Sequence, residues 1–313
     1  MSESLPAPVT TIVNALTIDV EDYFQVSAFA PYIPRSDWDA RECRVERNID
    51  CILGMLDGQQ ARATFFTLGW IAERYPQVVR RIVGAGHEIA SHGFGHHRAN
   101  EQGEEFFLAD ISLSKIILED LTGTEVKGYR APSFSINEAN GWAFDCIARA
   151  GYRYSSSIYP IRHDHYGMPD APRFAYHVRD RLLEVPITTA RLFGRNWPAG
   201  GGGYFRLMPY VASRWLLRRV NARDVEPAVF YFHPWELDPD QPRIPGLDGR
   251  TRFRHYLNLG RTEQRLRRLL ADFSWDRVDR VFLEGARQKA GQREEPLQGP
   301  PGPAPAAHPL PAG

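Results

Sequence analysis

Three carboxylates in four residues, Asp19, Glu21 and Asp22, follow the apolar run that begins at Leu16. Like charges crowded at the end of a strand cost stability unless a cation or an arginine compensates them. A partner set for a cation lies further on, in Ser91-His92-Gly93-Phe94-Gly95-His96-His97. Histidines four apart converge either on one helical face or across a tight loop, and with a carboxylate they leave positions open for water and substrate. That is the donor set of a hydrolytic metal site. Two more strand-like runs end on polar residues of a suitable kind. Tyr129-Arg130-Ala131-Pro132-Ser133-Phe134 offers an arginine able to pair with the Asp19 carboxylate. Phe230-Tyr231-Phe232-His233-Pro234-Trp235-Glu236 ends an apolar strand on a lone histidine.

Such residues need a frame that brings strand ends together. Short β-rich runs alternate with longer segments of helical period, the pattern of βα units around a parallel sheet. Seven strands are expected, at 16–19, 63–68, 88–91, 127–131, 152–156, 182–186 and 228–233. Helices are expected at 47–56, 104–121, 139–150, 210–222 and 262–272, with a further one through Ile71, Tyr75, Val78, Val79 and Ile82. Seven strands with intervening helices suit a barrel better than an open sheet, and barrel sites are built at strand ends. Four consecutive glycines, Gly200 to Gly203, suit no regular element and predict a loop with positive φ or a close backbone approach. The organisation read from the chain is an extension at 1–10, one domain at 11–287, and a proline-rich tail at 288–313 expected to be disordered.

With 38 basic and 38 acidic side chains the chain has no net charge, so neither nucleic acid nor anionic lipid is indicated as a partner. Cys43, Cys51 and Cys146 lack metal-type spacing and are too sparse for a disulfide framework, so they read as incidental thiols. No basic n-region, apolar leader or run of 18 apolar residues is visible, and the reading is a cytoplasmic protein without a transmembrane segment.

Taken together, these segments resemble the polysaccharide deacetylase family with the NodB-homology domain, carbohydrate esterase family 4, from about Leu16 to about Glu236. Asp-Val-Glu-Asp-Tyr-Phe, Tyr-Arg-Ala-Pro-Ser-Phe-Ser and Tyr-Phe-His-Pro-Trp-Glu look like the subgroup found with exosortase (PEP-CTERM) exopolysaccharide loci. The resemblance implies a distorted seven-stranded (β/α) barrel and a divalent metal, usually zinc. It implies that Asp19 is the general base, His92 and His96 the metal histidines, Arg130 the arginine that orients the base, and His233 the general acid. The chain departs from the family pattern twice. Val20 stands where a second aspartate usually ligates the metal, so the ligand would be Glu21 or Asp22. The i+2 relation to Asp19 favours Glu21. In addition, Tyr154-Ser155-Ser156-Ser157 lacks the aspartate that tunes the catalytic histidine, for which Asp164 or Glu184 could substitute.

The expected chemistry is hydrolysis of an N-acetyl group on a polysaccharide or lipid-linked oligosaccharide of bacterial exopolysaccharide synthesis. Tyr23, Phe24, Phe134, Tyr204 and Trp235 would supply a stacking platform for sugar rings. The rival readings are a glycan-binding subunit that has lost turnover and a metal-free hydrolase of a non-sugar amide. Intact Asp19, His92, His96, Arg130 and His233 favour the enzyme, because binding alone does not require them.

Overall fold

The computed structural model describes residues 12–285. The extension at 1–10 and the tail at 288–313 lie outside the described residues.

Among the described residues eleven strands form in chain order: β1 (Val13–Val20), β2 (Thr64–Thr67), β3 (Glu88–Ser91), β4 (Gly128–Tyr129), β5 (Tyr154–Ser155), β6 (Tyr176–Arg179), β7 (Leu182–Glu184), β8 (Thr189–Leu192), β9 (Arg195–Pro198), β10 (Val229–Phe232) and β11 (Ser274–Asp276). The sheet runs β10-β1-β2-β3-β4-β5-β7-β6, parallel throughout except where β6 joins β7. β11 pairs with the start of β1, and β8 and β9 form a separate hairpin. All seven expected strands are present; β6, the hairpin and β11 are additional. The two ends of the parallel run are joined by a short segment. After β7, Val185 N–H donates to the Ser155 carbonyl and Thr188 N–H to the Val229 carbonyl, while Tyr231 N–H donates to the Gly200 carbonyl. The glycine run is therefore the seam between β7 and β10. Gly201 has φ of +108°, and a Cβ there would stand 2.0 Å from the Tyr231 carbonyl oxygen, so only glycine fits.

Among the described residues nine α-helices accompany the strands: α1 (Val45–Asp57), α2 (Gly69–Arg74), α3 (Pro76–Gly84), α4 (Glu104–Thr122), α5 (Ala143–Arg149), α6 (Gly202–Leu207), α7 (Tyr210–Arg219), α8 (Gly249–Tyr256) and α9 (Leu259–Asp272). The single helix expected through Ile71 to Ile82 is two. Proline disfavours the α region for the residue before it, and Tyr75 takes φ −128°, ψ 54°, while Pro76 opens α3. Among the described residues no helix is long and apolar enough to cross a membrane.

Strand parity sorts the side chains. Leu16, Ile18 and Val20 of β1, Phe65 of β2, Ile89 of β3, Tyr129 of β4 and Phe230 and Phe232 of β10 belong to the large outer core shared with the helices. The alternate set, Ala15, Phe66, Ala90, Tyr154, Val185, Val229 and Tyr231, forms a second cluster on the opposite face. Because successive side chains point to opposite faces, Asp19, His92, Arg130 and His233 extend that second set at the carboxyl ends of their strands. The fold thereby gathers four distant residues on one face.

Candidate active site

Asp19 closes the inward row of β1. Its Oδ1 lies 2.6 Å from Arg130 Nη1, and both residues are buried. The guanidinium is fixed from every side: Nε donates to the Ser156 carbonyl, Nη2 to Ser156 Oγ and Nη1 also to Thr17 Oγ1. It sits 4.1 Å from the Phe66 ring centroid. A donor so constrained leaves Asp19 one preferred orientation, with Oδ2 turned toward His233 at 3.9 Å from Nε2.

Val20 points into the helix layer and cannot ligate on this side; Glu21 returns to it. Glu21, His92 and His96 each offer a donor atom, and all three atoms lie within 4.8 Å of one another. His92 Nδ1 is 2.8 Å from the Arg130 carbonyl, a contact that places the proton on Nδ1 and leaves Nε2 as a lone-pair donor. Burial lowers the His92 pKa to about 4, so the ring stays neutral as a ligand must. His96 Nε2 is 2.7 Å from Glu21 Oε2. The loop carrying His96 is irregular rather than helical, with φ of +54° at His96 itself, and Arg35 holds it by donating to the Gly95 and His96 carbonyls. Burial opposes the charge of Glu21, but the imidazoles of His96, His233 and His92 outweigh it and bring the carboxyl to about 2. Glu21 Oε2 is buried and accepts no well-formed hydrogen bond. An orphaned carboxylate oxygen beside two imidazole nitrogens is a donor set that fits a divalent cation such as zinc.

Asp22 is not part of this set. Its Oδ1 accepts from Tyr23 N–H, capping a short 3₁₀ turn, and its Oδ2 accepts from Cys43 Sγ and Arg44 N–H. Of the two candidate ligands, only Glu21 faces the histidines.

The two residues offered in place of the missing fourth-motif aspartate do not reach His233. Asp164 binds Arg250 at 2.7 Å and Arg254 at 3.3 Å in a partly exposed ion-pair cluster. Glu184 Oε1 accepts from Ser157 and Ile158 N–H. The carboxylate that does reach it is Glu236, which sequence reasoning passed over: its Oε1 lies 2.7 Å from His233 Nδ1 and accepts the His233 backbone N–H as well. Arg206, itself buried, holds the other oxygen of Glu236 at 2.6 Å. A signal was present, since His-Pro-Trp-Glu has the spacing of a capping box with Glu at the third helical position. Burial lowers the His233 pKa, yet the nearby Glu21, Glu236 and Asp19 carboxylates outweigh it and raise the value to about 9. A protonated imidazole whose Nδ1 is engaged presents Nε2–H to the site as an acid.

The expected sugar platform requires correction. Tyr23, Phe24, Phe134 and Trp235 are all buried. Tyr23 packs edge-on against Phe24, and Phe134 packs against Tyr231 beside Arg130. Trp235 stacks on His233 at 5.2 Å and donates its indole N–H to Glu21 Oε1, so it braces the site instead of facing solvent. Tyr204 alone of the group is partly exposed, edge-on to His163.

Residues 38–155 match the polysaccharide deacetylase family, and residues 156–283 match a domain of unknown function (DUF3473). The chain is 36% identical over 87 residues to a peptidoglycan-N-acetylglucosamine deacetylase of Bacillus cereus, covering 28% of this chain and 32% of that protein. It is 34% identical over 79 residues to a chitooligosaccharide deacetylase of Azorhizobium caulinodans, covering 25% and 38%. It thus spans about a third of the length of these curated relatives. A solved Mycobacterium smegmatis protein, assigned as a candidate polysaccharide deacetylase, superposes with a TM-score of 0.56 at 21% identity, covering 95% of this chain and 97% of that one, and supports the fold. Residues 38–155 therefore match a polysaccharide deacetylase domain, the NodB-homology domain of carbohydrate esterase family 4.

Proposed function

We propose that the protein is a metal-dependent N-deacetylase acting on an N-acetylated polysaccharide or lipid-linked oligosaccharide in bacterial exopolysaccharide synthesis. The observation that carries the reading is the opposition of Asp19 and His233 beside the Glu21, His92 and His96 donor set. Glu21, His92 and His96 would hold the cation, which when bound supplies Lewis acidity toward water and the acetyl carbonyl. Asp19, locked by Arg130, accepts a proton from the attacking water at Oδ2. The water oxygen bonds to the acetyl carbon, the carbon–nitrogen bond breaks with its electron pair on nitrogen, and His233 Nε2 protonates that nitrogen. Acetate and a free sugar amine are the products. The exopolysaccharide setting rests on the resemblance of the Asp19, Arg130 and His233 motifs to the exosortase-associated subgroup.

The test is incubation of the purified protein with N-acetylglucosamine oligomers and zinc, cobalt, manganese or nickel. One primary amine should appear for each acetate released. Oligosaccharide binding with no acetate under any of these metals would favour the glycan-binding reading instead.

A further inference from the structure

The chain is neutral as a whole, but its charges are not evenly spread. Residues 185–223 contain seven arginines and no lysine, aspartate or glutamate. Three of these arginines are spoken for: Arg206 binds Glu236, and Arg214 and Arg218 lie 3.0 and 3.8 Å from Asp272. Among the described residues Arg191, Arg195, Arg219 and Arg223 have no carboxylate within 4.0 Å. The same stretch and the turn after it hold much of the protein's exposed large apolar surface, with Phe193 96%, Val211 73%, Val225 69%, Leu207 54%, Trp215 53% and Trp197 47% exposed.

Two elements present these residues. Phe193 and Gly194 are the two-residue tip of the β8–β9 hairpin, both with positive φ, the geometry of a tight primed turn. Ala190 and Leu192 of the hairpin pack on Leu216 and Val220 at the α7 end of the chain. By register Trp197 lies opposite Ala190, and Arg195 opposite Leu192, on that same hairpin face. Helix α7 buries Ser213, Leu216 and Leu217 and turns Val211 and Trp215, one turn apart, outward. Arg219 lies over the Trp215 ring at 5.9 Å.

We infer that the hairpin tip and the outer face of α7 form a docking surface for an anionic lipid bilayer. Aromatic and aliphatic side chains beside arginines without carboxylate partners match the two demands of a membrane interface, apolar insertion and attraction to negative headgroups. Val211, Leu207 and Val225 add exposed aliphatic surface, which suits insertion among acyl chains and gives nothing to base stacking. The surface is separate from the deacetylation machinery, so its loss leaves chemistry on soluble substrates intact.

The experiment is sedimentation of the full chain with phosphatidylcholine vesicles, alone or with roughly one third phosphatidylglycerol. The wild type should sediment with the anionic vesicles, weakly with neutral ones, and less in high salt. Phe193→Ser with Trp215→Ser, and separately Arg191→Glu with Arg195→Glu, should each reduce partitioning by about tenfold or more with an unchanged melting temperature. No partitioning of wild type, or partitioning indifferent to headgroup charge, overturns the inference. So does a wild-type dimer abolished by these substitutions, or preference for duplex DNA over anionic vesicles.

Discussion

The position of Glu21 shows how a departure from a family pattern is resolved by side-chain direction. Val20 faces the helices and Glu21 faces the histidines, so the proposed ligand is one residue further along the chain. His92→Ala, His96→Ala and Glu21→Ala should each lower metal occupancy, because loss of one of three protein ligands costs several kcal/mol of binding. Asp22→Ala should retain metal while lowering the melting temperature, since Asp22 caps a turn and binds Arg44. Elemental analysis distinguishes the two classes, and full occupancy in Glu21→Ala would remove it from the ligand set. The carboxylate behind His233 can be assigned in the same manner. Glu236→Ala should reduce kcat by about 10- to 100-fold, because the imidazole loses the acceptor that fixes its orientation, whereas Asp164→Ala should leave kcat near wild type. The reverse ranking would return the role to Asp164. The strand-end histidines, Asp19 and Arg130 were legible from residue type and position. Glu236 was hidden by its nearness in sequence to the histidine it serves, where a capping residue and a functional one look alike.

At the scale of elements, the seven strands were legible because each is a short apolar run bounded by polar or turn residues. The hairpin β8–β9 was not, since its strands are short, Arg195 stands on the face of Ala190, Leu192 and Trp197, and that face packs on Leu216 and Val220. The helix expected through residue 82 failed at Tyr75, where the restriction imposed by Pro76 outweighs a continuous apolar stripe. The glycine run was readable as a close approach, though not as the seam of the sheet. That seam predicts a sharp effect of one methyl group. Gly201→Ala should destabilise the protein by about 3 kcal/mol or more, because the new Cβ would collide with the Tyr231 carbonyl in a backbone conformation alanine disfavours. Chemical denaturation measures it, and a change under 1 kcal/mol would mean that the seam rearranges freely. Gly203→Ala, with no such collision, is the control.

For the whole molecule, close packing also buries a carboxylate away from the site, on the face of β7 opposite to Leu183 and Val185, at a cost. Burial raises the Glu184 pKa from 4.5 to about 7, against the opposing hydrogen bonds from Ser155, Ile158 and Ser157 and the charge of Arg130. The folded pKa exceeds the unfolded one, so this contribution to stability is complete below about pH 4.5 and is lost as pH rises through about 7. Glu184→Gln, which keeps an acceptor for the two backbone N–H groups, should flatten that decline, by at most about 3 kcal/mol. Denaturation at pH 5 and pH 8 tests it, and an identical slope in both proteins would contradict it. The central claim is that one face joins a proton acceptor and a proton donor across a scissile amide. Its most direct test is single-turnover and steady-state acetate release by Asp19→Asn and His233→Ala, alongside binding of the N-acetylated oligosaccharide. The account predicts that kcat falls by about 10² to 10⁴ in each while affinity changes far less; undiminished kcat in either variant would contradict it.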